Sequence, residues 1–162
     1  MALARTHGFP VPQVQEVRPD ALVMDRIDGP TMARSILRRP WLASAHAATL
    51  AELHERLHRI PLDGARLLHL DLHPENVLMA AHGPVVIDWT NAGAGDPDQD
   101  VALTWLILAT SGGLPGRILA GLFRRRVGTD AIRRGLPAAR DYRAADPNVT
   151  NAERARVRRL RI

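Results

Sequence analysis

Asp71, Asn76 and Asp88 are the residues of this sequence whose types and spacing are best suited to chemistry. The first two bracket the segment LHPE, and the third ends the apolar run VVID. One carboxylate of such a set can orient an acceptor hydroxyl and take its proton. The other carboxylate and the amide supply hard oxygen ligands of the kind that Mg²⁺ prefers. The set therefore indicates metal-assisted phosphoryl transfer.

Two other interpretations of these residues stay open at this point. Asp and Asn favour turns and helix caps, so the set could be purely structural. His69, Asp71 and His73 alternate along the chain and would share one face of a strand, which suits the zinc or iron site of a metallohydrolase. Against that site, Pro74 follows at once, no distant histidine is clearly placed, and cysteine is absent. We therefore favour phosphoryl transfer over both.

Two β-hairpins are predicted, and the second one carries the polar set. Strand-like segments at Val14–Val17 and Ala21–Ile27 flank a turn that contains proline and aspartate. Further along, Val77–Met79 and Val85–Ile87 are short apolar runs joined by the segment AAHG, which has turn chemistry. This second hairpin would fold Asn76 and the second carboxylate onto one side.

The rest of the chain is predominantly helical by its pattern. Apolar residues at helical spacing predict a long helix over Trp41–His58, and a second helix is expected over Gln99–Ala109. The segment Ser111–Gly116 contains three glycines and a proline, which predicts a loop. Thr150 and Glu153 form a capping-box pattern at the start of the last helix.

Three histidines, His46, His54 and His58, lie on the long predicted helix. The last two are four residues apart, a spacing that places two side chains on one helix face and can serve a metal ion. We expect them instead to be partly exposed helix residues.

Length and composition are those of a single globular domain of 162 residues with 46% apolar residues. The absence of cysteine excludes disulfides and thiolate metal sites and suits a cytosolic protein. The longest apolar run, Val101–Ala109, is far too short to span a bilayer. We expect a cytoplasmic protein with no membrane partner.

Charge is distributed unevenly along the chain, whose net charge is +5. Residues 116–162 contain 13 Arg against 4 acidic residues, and the preceding part is net acidic. Such a basic segment can contact nucleic acid or another anionic partner. No aromatic platform accompanies these arginines, so we disfavour nucleic acid and expect a solvated helical face.

The motifs together resemble a known family. HLDLHPEN (residues 69–76), VVIDW (85–89) and GDPDQDVA (95–102) are similar to the motifs of the aminoglycoside phosphotransferase and choline kinase group. The resemblance implies an α+β, protein-kinase-like fold with a mostly helical C-terminal lobe, a linker hairpin and a short catalytic-loop hairpin. It also implies ATP and Mg²⁺ as cofactors and the transfer of the γ-phosphate to a hydroxyl of a small molecule.

The resemblance further implies a role for each matching residue. Asp71 would be the catalytic carboxylate, with Asn76 and Asp88 as the magnesium ligands. His69 and Asp100 would support the catalytic loop. The residues expected around the adenine ring are Met24, Asp25, Ile27 and Leu78.

A small molecule is the expected acceptor rather than a protein. Only 12 positions separate Asp88 from Asp100, which leaves no room for the activation loop of a protein kinase. The APE motif is absent, and Leu70 stands where protein kinases usually carry an arginine. The sequence does not identify the acceptor further.

The resemblance breaks at the N-terminal lobe. A kinase of this kind uses a glycine-rich loop and a lysine at the phosphates, and this sequence has neither, since all 22 of its basic residues are Arg. We expect residues 1–27 to be a remnant of the N-terminal lobe with the start of the linker, and residues 28–162 to form the C-terminal lobe. The chain would be a fragment or have a late start, be a degenerate relative, or receive the missing lobe from another chain.

Activity of this chain alone is therefore expected to be impaired. A different class of function, a non-catalytic kinase-like binding module, is the main alternative, and the metallohydrolase is a weaker one.

Overall fold

The computed structural model describes residues 1–147 and 149–162 and has an α+β architecture in which helices predominate. The helices are α1 (Ala2–Thr6), α2 (Met32–Arg38), α3 (Ala43–Leu57), α4 (Pro97–Ser111), α5 (Gly113–Val127), α6 (Thr129–Ala145) and α7 (Asn151–Arg159). The strands are β1 (Val14–Val17), β2 (Leu22–Met24), β3 (Pro61–Leu62), β4 (Ala65–Leu68), β5 (Val77–Ala80), β6 (Gly83–Val86) and β7 (Gly93–Gly95). No helix within the described ranges is long and apolar enough to cross a membrane.

Both predicted hairpins are present as antiparallel pairs, β1 with β2 and β5 with β6. The first hairpin ends earlier than predicted, because β2 stops at Met24 and the chain runs on as an extended segment rather than pairing as far as Ile27. In the second hairpin Val77 pairs with Val86, and the Ile87 N–H still donates to the Asn76 carbonyl over 3.0 Å just beyond it.

The extended segment after β2 packs directly on the second hairpin. The Met79 N–H donates to the Pro30 carbonyl over 2.8 Å, and Thr31 forms an isolated bridge with Leu78. A Cβ atom added to Gly29 would lie 2.3 Å from the Met79 carbonyl oxygen, so only glycine allows this approach.

Helix α4 is the centre of the hydrophobic core and packs against α5 and α6. Ten of its residues are buried, which is expected of a helix that is apolar on most faces. It begins at Pro97, earlier than predicted, because the Asp96 side chain caps it by accepting from the Asp98 N–H over 2.9 Å.

The predicted loop Ser111–Gly116 is wrong, because α5 already begins at Gly113. Pro115 falls in the first helical turn, where its missing N–H would have no partner in any case. The glycines serve helix packing, since a Cβ on Gly116 would lie 2.6 Å from the Leu108 carbonyl oxygen. Two helices therefore meet at a tight junction where the composition suggested an open loop.

A close approach between α6 and the start of α4 gives the first prediction. A Cβ on Gly135 would lie 1.8 Å from the Asp98 carbonyl oxygen, whereas Gly121 of α5 has no neighbouring atom within 4 Å of that position. Gly135→Ala is expected to destabilise the fold by at least about 2 kcal/mol through overpacking. The matched change Gly121→Ala should be neutral or stabilising by up to about 1 kcal/mol, because alanine favours the helix. Urea denaturation of both variants compares the two, and equal midpoints would contradict this packing.

The C-terminal helix α7 starts as its capping pattern predicts. The Thr150 hydroxyl accepts from the Glu153 N–H over 3.2 Å, and Val157 is buried on the inner face. The Glu153 carboxylate turns away from the cap, however, and accepts hydrogen bonds from Ser111 and Arg143. Helix α7 is thereby joined to the α4–α5 junction and to α6.

Candidate active site

The loop His69–Asn76 lies between β4 and β5 and is fixed from below by Asp100 of α4. The fully buried Asp100 carboxylate accepts from the Leu70 N–H over 2.8 Å and from the His69 N–H over 3.1 Å. These bonds hold Leu70 at φ 59°, a left-handed conformation that a branched residue adopts only under constraint. The loop therefore owes its shape to a contact with a residue 30 positions away.

Two histidines of α3 complete the surroundings of Asp100. His58 Nε2 lies 3.0 Å from its Oδ2 atom and His54 Nδ1 lies 3.6 Å from it. His54 is also tied to the loop, since the Thr104 hydroxyl joins its Nε2 over 3.0 Å and donates to the Leu72 carbonyl over 2.7 Å. Burial acts to raise the pKa of Asp100, but the nearby His54 and the hydrogen-bonded His58 outweigh it and hold that pKa far below its ordinary value.

The expectation that the α3 histidines are partly exposed is wrong for His46 and His54, which are both buried. His46 Nε2 lies 2.9 Å from the Ser35 hydroxyl, and burial lowers the pKa of both imidazoles. Both histidines share a helix face with the buried leucines of α3, and that periodicity could have predicted their burial. Their partners on other elements were not visible in the sequence.

His69 joins the loop to the second hairpin. Its Nε2–H donates to the Ile87 carbonyl over 3.0 Å, and its ring packs against Trp89 with the centroids 4.8 Å apart. Phe9 packs edge-on against the other part of Trp89 at 5.7 Å. Burial lowers the pKa of His69, which keeps the ring neutral in the role of a hydrogen-bond donor.

Asp71 and Asn76 are in direct contact. The Asn76 Nδ2 group donates to the Asp71 carboxylate over 3.0 Å and to its backbone carbonyl over 2.9 Å, which leaves the amide oxygen available as a ligand. His73 Nε2 lies 3.3 Å from the other carboxylate oxygen of Asp71. Burial acts to raise the pKa of Asp71, but His73 and Asn76 outweigh it and lower that pKa, so the group is ionised at neutral pH.

Asp88 follows β6 and is exposed. The bond between the Ile87 N–H and the Asn76 carbonyl places it beside the start of β5. Its backbone has φ 59°, and its carboxylate accepts from the Thr90 hydroxyl over 2.9 Å. The hairpin thus brings Asp88 to the same end of the molecule as the contacting pair Asp71 and Asn76.

The residues expected around adenine lie on the first hairpin, its extended continuation and β5. Met24 and Asp25 are exposed and Ile27 is partly buried, while the Asp25 carboxylate accepts from the Gln15 amide over 2.5 Å. Leu78 is partly buried and is joined to the linker through its bridge with Thr31.

The donor set fits a magnesium ion bound with a nucleotide. It offers two carboxylates and one neutral amide oxygen, whose N–H bonds are already satisfied by Asp71, and such hard oxygen ligands match Mg²⁺. Asn76 and Asp88 are the residues that would hold the ion. The extended backbone after β2 would face the adenine ring of the nucleotide.

The structure gives no support to the alternative of a His69–Asp71–His73 metallohydrolase site. The Nε2 atom of His69 is bonded to a backbone carbonyl, and among residues 1–147 and 149–162 these three side chains do not form a group whose ligand atoms converge. The described residues contain one such group, His54, His58 and Asp100, with ligand atoms within 4.8 Å of one another. The hydrogen bonds of Asp100 to His58 and to the loop account for that group without an ion.

The sequence as a whole identifies a protein of the phosphotransferase class. Residues 1–142 match the family model described as the phosphotransferase enzyme family, APH, and the chain belongs to that family. No individual curated protein matches the sequence significantly. Membership implies a kinase-like fold, in agreement with the α+β architecture described above.

Proposed function

We propose that the protein transfers the γ-phosphate of ATP to a hydroxyl group of a small molecule, with Mg²⁺ as cofactor. The observation that supports this most is the contact between Asp71 and Asn76 beside a hairpin that carries Asp88. Family membership supports phosphotransferase chemistry in general. The magnesium ion, when bound, would neutralise charge on the phosphates.

Asp71 is the residue proposed to act on the acceptor. Its side chain is 22% exposed and ionised, so it can accept a hydrogen bond from an incoming hydroxyl. It would orient the hydroxyl oxygen for attack on phosphorus and take its proton as the bond from phosphorus to the leaving oxygen breaks. His73 and Asn76 hold the carboxylate in place meanwhile.

Nucleotide affinity is expected to be weak. The family's phosphate-binding lysine has no counterpart here, because the sequence contains no lysine. ATP binding would then rest on the magnesium ligands and on the residues proposed to surround adenine.

Titration of the protein with Mg-ATP, followed by NMR or calorimetry, tests the proposal. Asp88→Ala is expected to weaken binding by at least about tenfold, because a metal ligand is removed. Asp130→Ala, which removes an exposed carboxylate on α6, should leave binding unchanged.

The result can contradict the proposal in two ways. Binding that survives Asp88→Ala would remove that residue from the metal site. Complete absence of Mg-nucleotide binding by the unmodified protein would instead favour a non-catalytic binding module.

A further inference from the structure

A cavity of about 390 Å³ adjoins the proposed active site, and its volume lies within the usual range for small-molecule pockets. Helix α2, the Pro74 turn of the loop, the α4–α5 junction and the end of α6 form its walls. We call it the acceptor cavity.

His73 connects this cavity to the proposed catalytic carboxylate. It lines the cavity, and its Nε2 atom is 3.3 Å from Asp71 Oδ1. A molecule seated in the cavity would therefore have one end within a side chain's length of Asp71. His73 is thus the direct structural link between the cavity and the Asp71 carboxylate.

The walls of the acceptor cavity are largely apolar. Side chains from three helices contribute to them: Ile36, Leu37, Ile107, Leu108 and Leu119. The close packing of Gly112 on Gly116 keeps the α4–α5 wall free of further side-chain bulk.

The polar groups at the far wall are already engaged with each other. Ser111 donates to Glu153 over 2.7 Å, and Arg143 forms ion pairs with Glu153 at 2.8 Å and Asp146 at 3.2 Å. Of the described residues that line the cavity, Glu75 is the one acidic side chain and Arg143 the one permanent cation. The lining thus offers a cation no more than one free carboxylate, because Arg143 is already paired with Glu153 and Asp146.

We propose that the acceptor is a neutral, mostly apolar alcohol that places its ring or chain in this cavity and its hydroxyl toward His73 and Asp71. This inference rests on the proposed function and specifies its substrate class. A polycationic amino sugar would need several free carboxylates, and its ammonium groups would lose hydration against apolar walls without a partner. An apolar body instead gains from burial against the same walls.

Direct binding experiments without nucleotide test the substrate class. The probes are 4-cyclohexyl-1-butanol, which is neutral and carries one hydroxyl, and 2-deoxystreptamine, a dicationic cyclitol. Binding is followed by chemical-shift changes in the protein. The alcohol is expected to bind with shifts centred on α2 and the loop, and the diamine is expected not to bind there.

A pair of leucines provides a matched comparison. Leu37 lines the cavity and is 68% exposed, whereas Leu114 lies outside it and is 70% exposed, so glutamate is tolerated at both surfaces. Leu37→Glu should weaken alcohol binding by about tenfold, because an apolar wall contact is replaced by a charge. Leu114→Glu should leave it unchanged. Ala33→Phe, which fills the cavity from α2, should also weaken it.

The outcomes separate this inference from the proposed function. Binding of the diamine but not the alcohol, or equal effects of the two glutamate variants, overturns the apolar acceptor and leaves phosphate transfer intact. Alcohol binding that responds to Leu37→Glu supports the inference. If the protein then shows no Mg-ATP binding at all, the proposed transfer is overturned while the cavity's preference stands.

Discussion

Asp100→Asn is expected to destabilise the protein by roughly 3 kcal/mol or more, because it leaves buried hydrogen-bonding groups without their charged partner. The carboxylate accepts from the backbone of His69 and Leu70 and from His58. An amide would turn its NH₂ group toward at least one of these donors. Chemical denaturation measures the loss, which is a large fraction of the stability of an ordinary domain.

A carboxylate on the same helix supplies the control. Asp98 pairs with Arg134 at 2.5 Å near the surface, and pairs of this kind contribute at most about 1 kcal/mol. Asp98→Asn should therefore be nearly neutral. If the two asparagine variants have the same free energy of unfolding, Asp100 does not hold the loop as described. Amide exchange at Leu70 gives a second measurement, since its protection should fall in the Asp100 variant.

The loop that carries Asp71 and Asn76 and the hairpin that ends beside Asp88 were predictable because their determinants are local. Asp71 and Asn76 are five residues apart in one loop, and two short apolar strands with a tight turn between them set the position of Asp88. Short apolar runs and the turn residues between them encode such a hairpin directly. The roles of the three residues stay predictions until ligand binding is measured.

The partners of the histidines at the end of α3 depend on long-range packing and could not be predicted in the same way. His54 and His58 meet Asp100, which is more than 40 residues away, and Thr104 links His54 to the loop. Helical periodicity predicts which residues share a face but does not identify what that face meets. A histidine at such a position is compatible with solvent or with a core partner.

The Ser111–Gly116 segment shows the complementary error. Glycine and proline are signals of a loop when only local preference is considered. Here the glycines allow α5 to approach the Leu108 carbonyl, and the proline occupies a first helical turn. That junction is also a wall of the acceptor cavity, so the cavity could not be predicted while the segment was expected to be a loop.

Two residues of the proposed active site have left-handed backbone conformations, Leu70 at φ 59° and Asp88 at φ 59°. Such conformations each cost roughly 1–3 kcal/mol and persist only where the surroundings enforce them. Asp100 holds the conformation of Leu70 by accepting a hydrogen bond from its N–H. Asp88 is positioned by the hairpin and by the hydrogen bond from the Ile87 N–H to the Asn76 carbonyl. These two backbone conformations therefore lower the stability of the fold, and they are present in the protein without any ligand.

Asp71→Asn is expected to reduce phosphate transfer by about 10²–10⁴-fold, the usual contribution of a positioned general base. The amide can still accept from Asn76, and the backbone carbonyl of residue 71 keeps its own bond to that side chain, so the loop should retain its shape. Mg-ATP binding should stay within about twofold of the unmodified protein, because Asn76 and Asp88 are the proposed ligands.

Single-turnover transfer from labelled ATP to 4-cyclohexyl-1-butanol measures the rate. Asp141→Asn on the exposed face of α6 controls for a general change of charge. Transfer that persists at the unmodified rate in Asp71→Asn would assign the base elsewhere, and a parallel loss of nucleotide binding would make Asp71 a ligand of the cofactor instead.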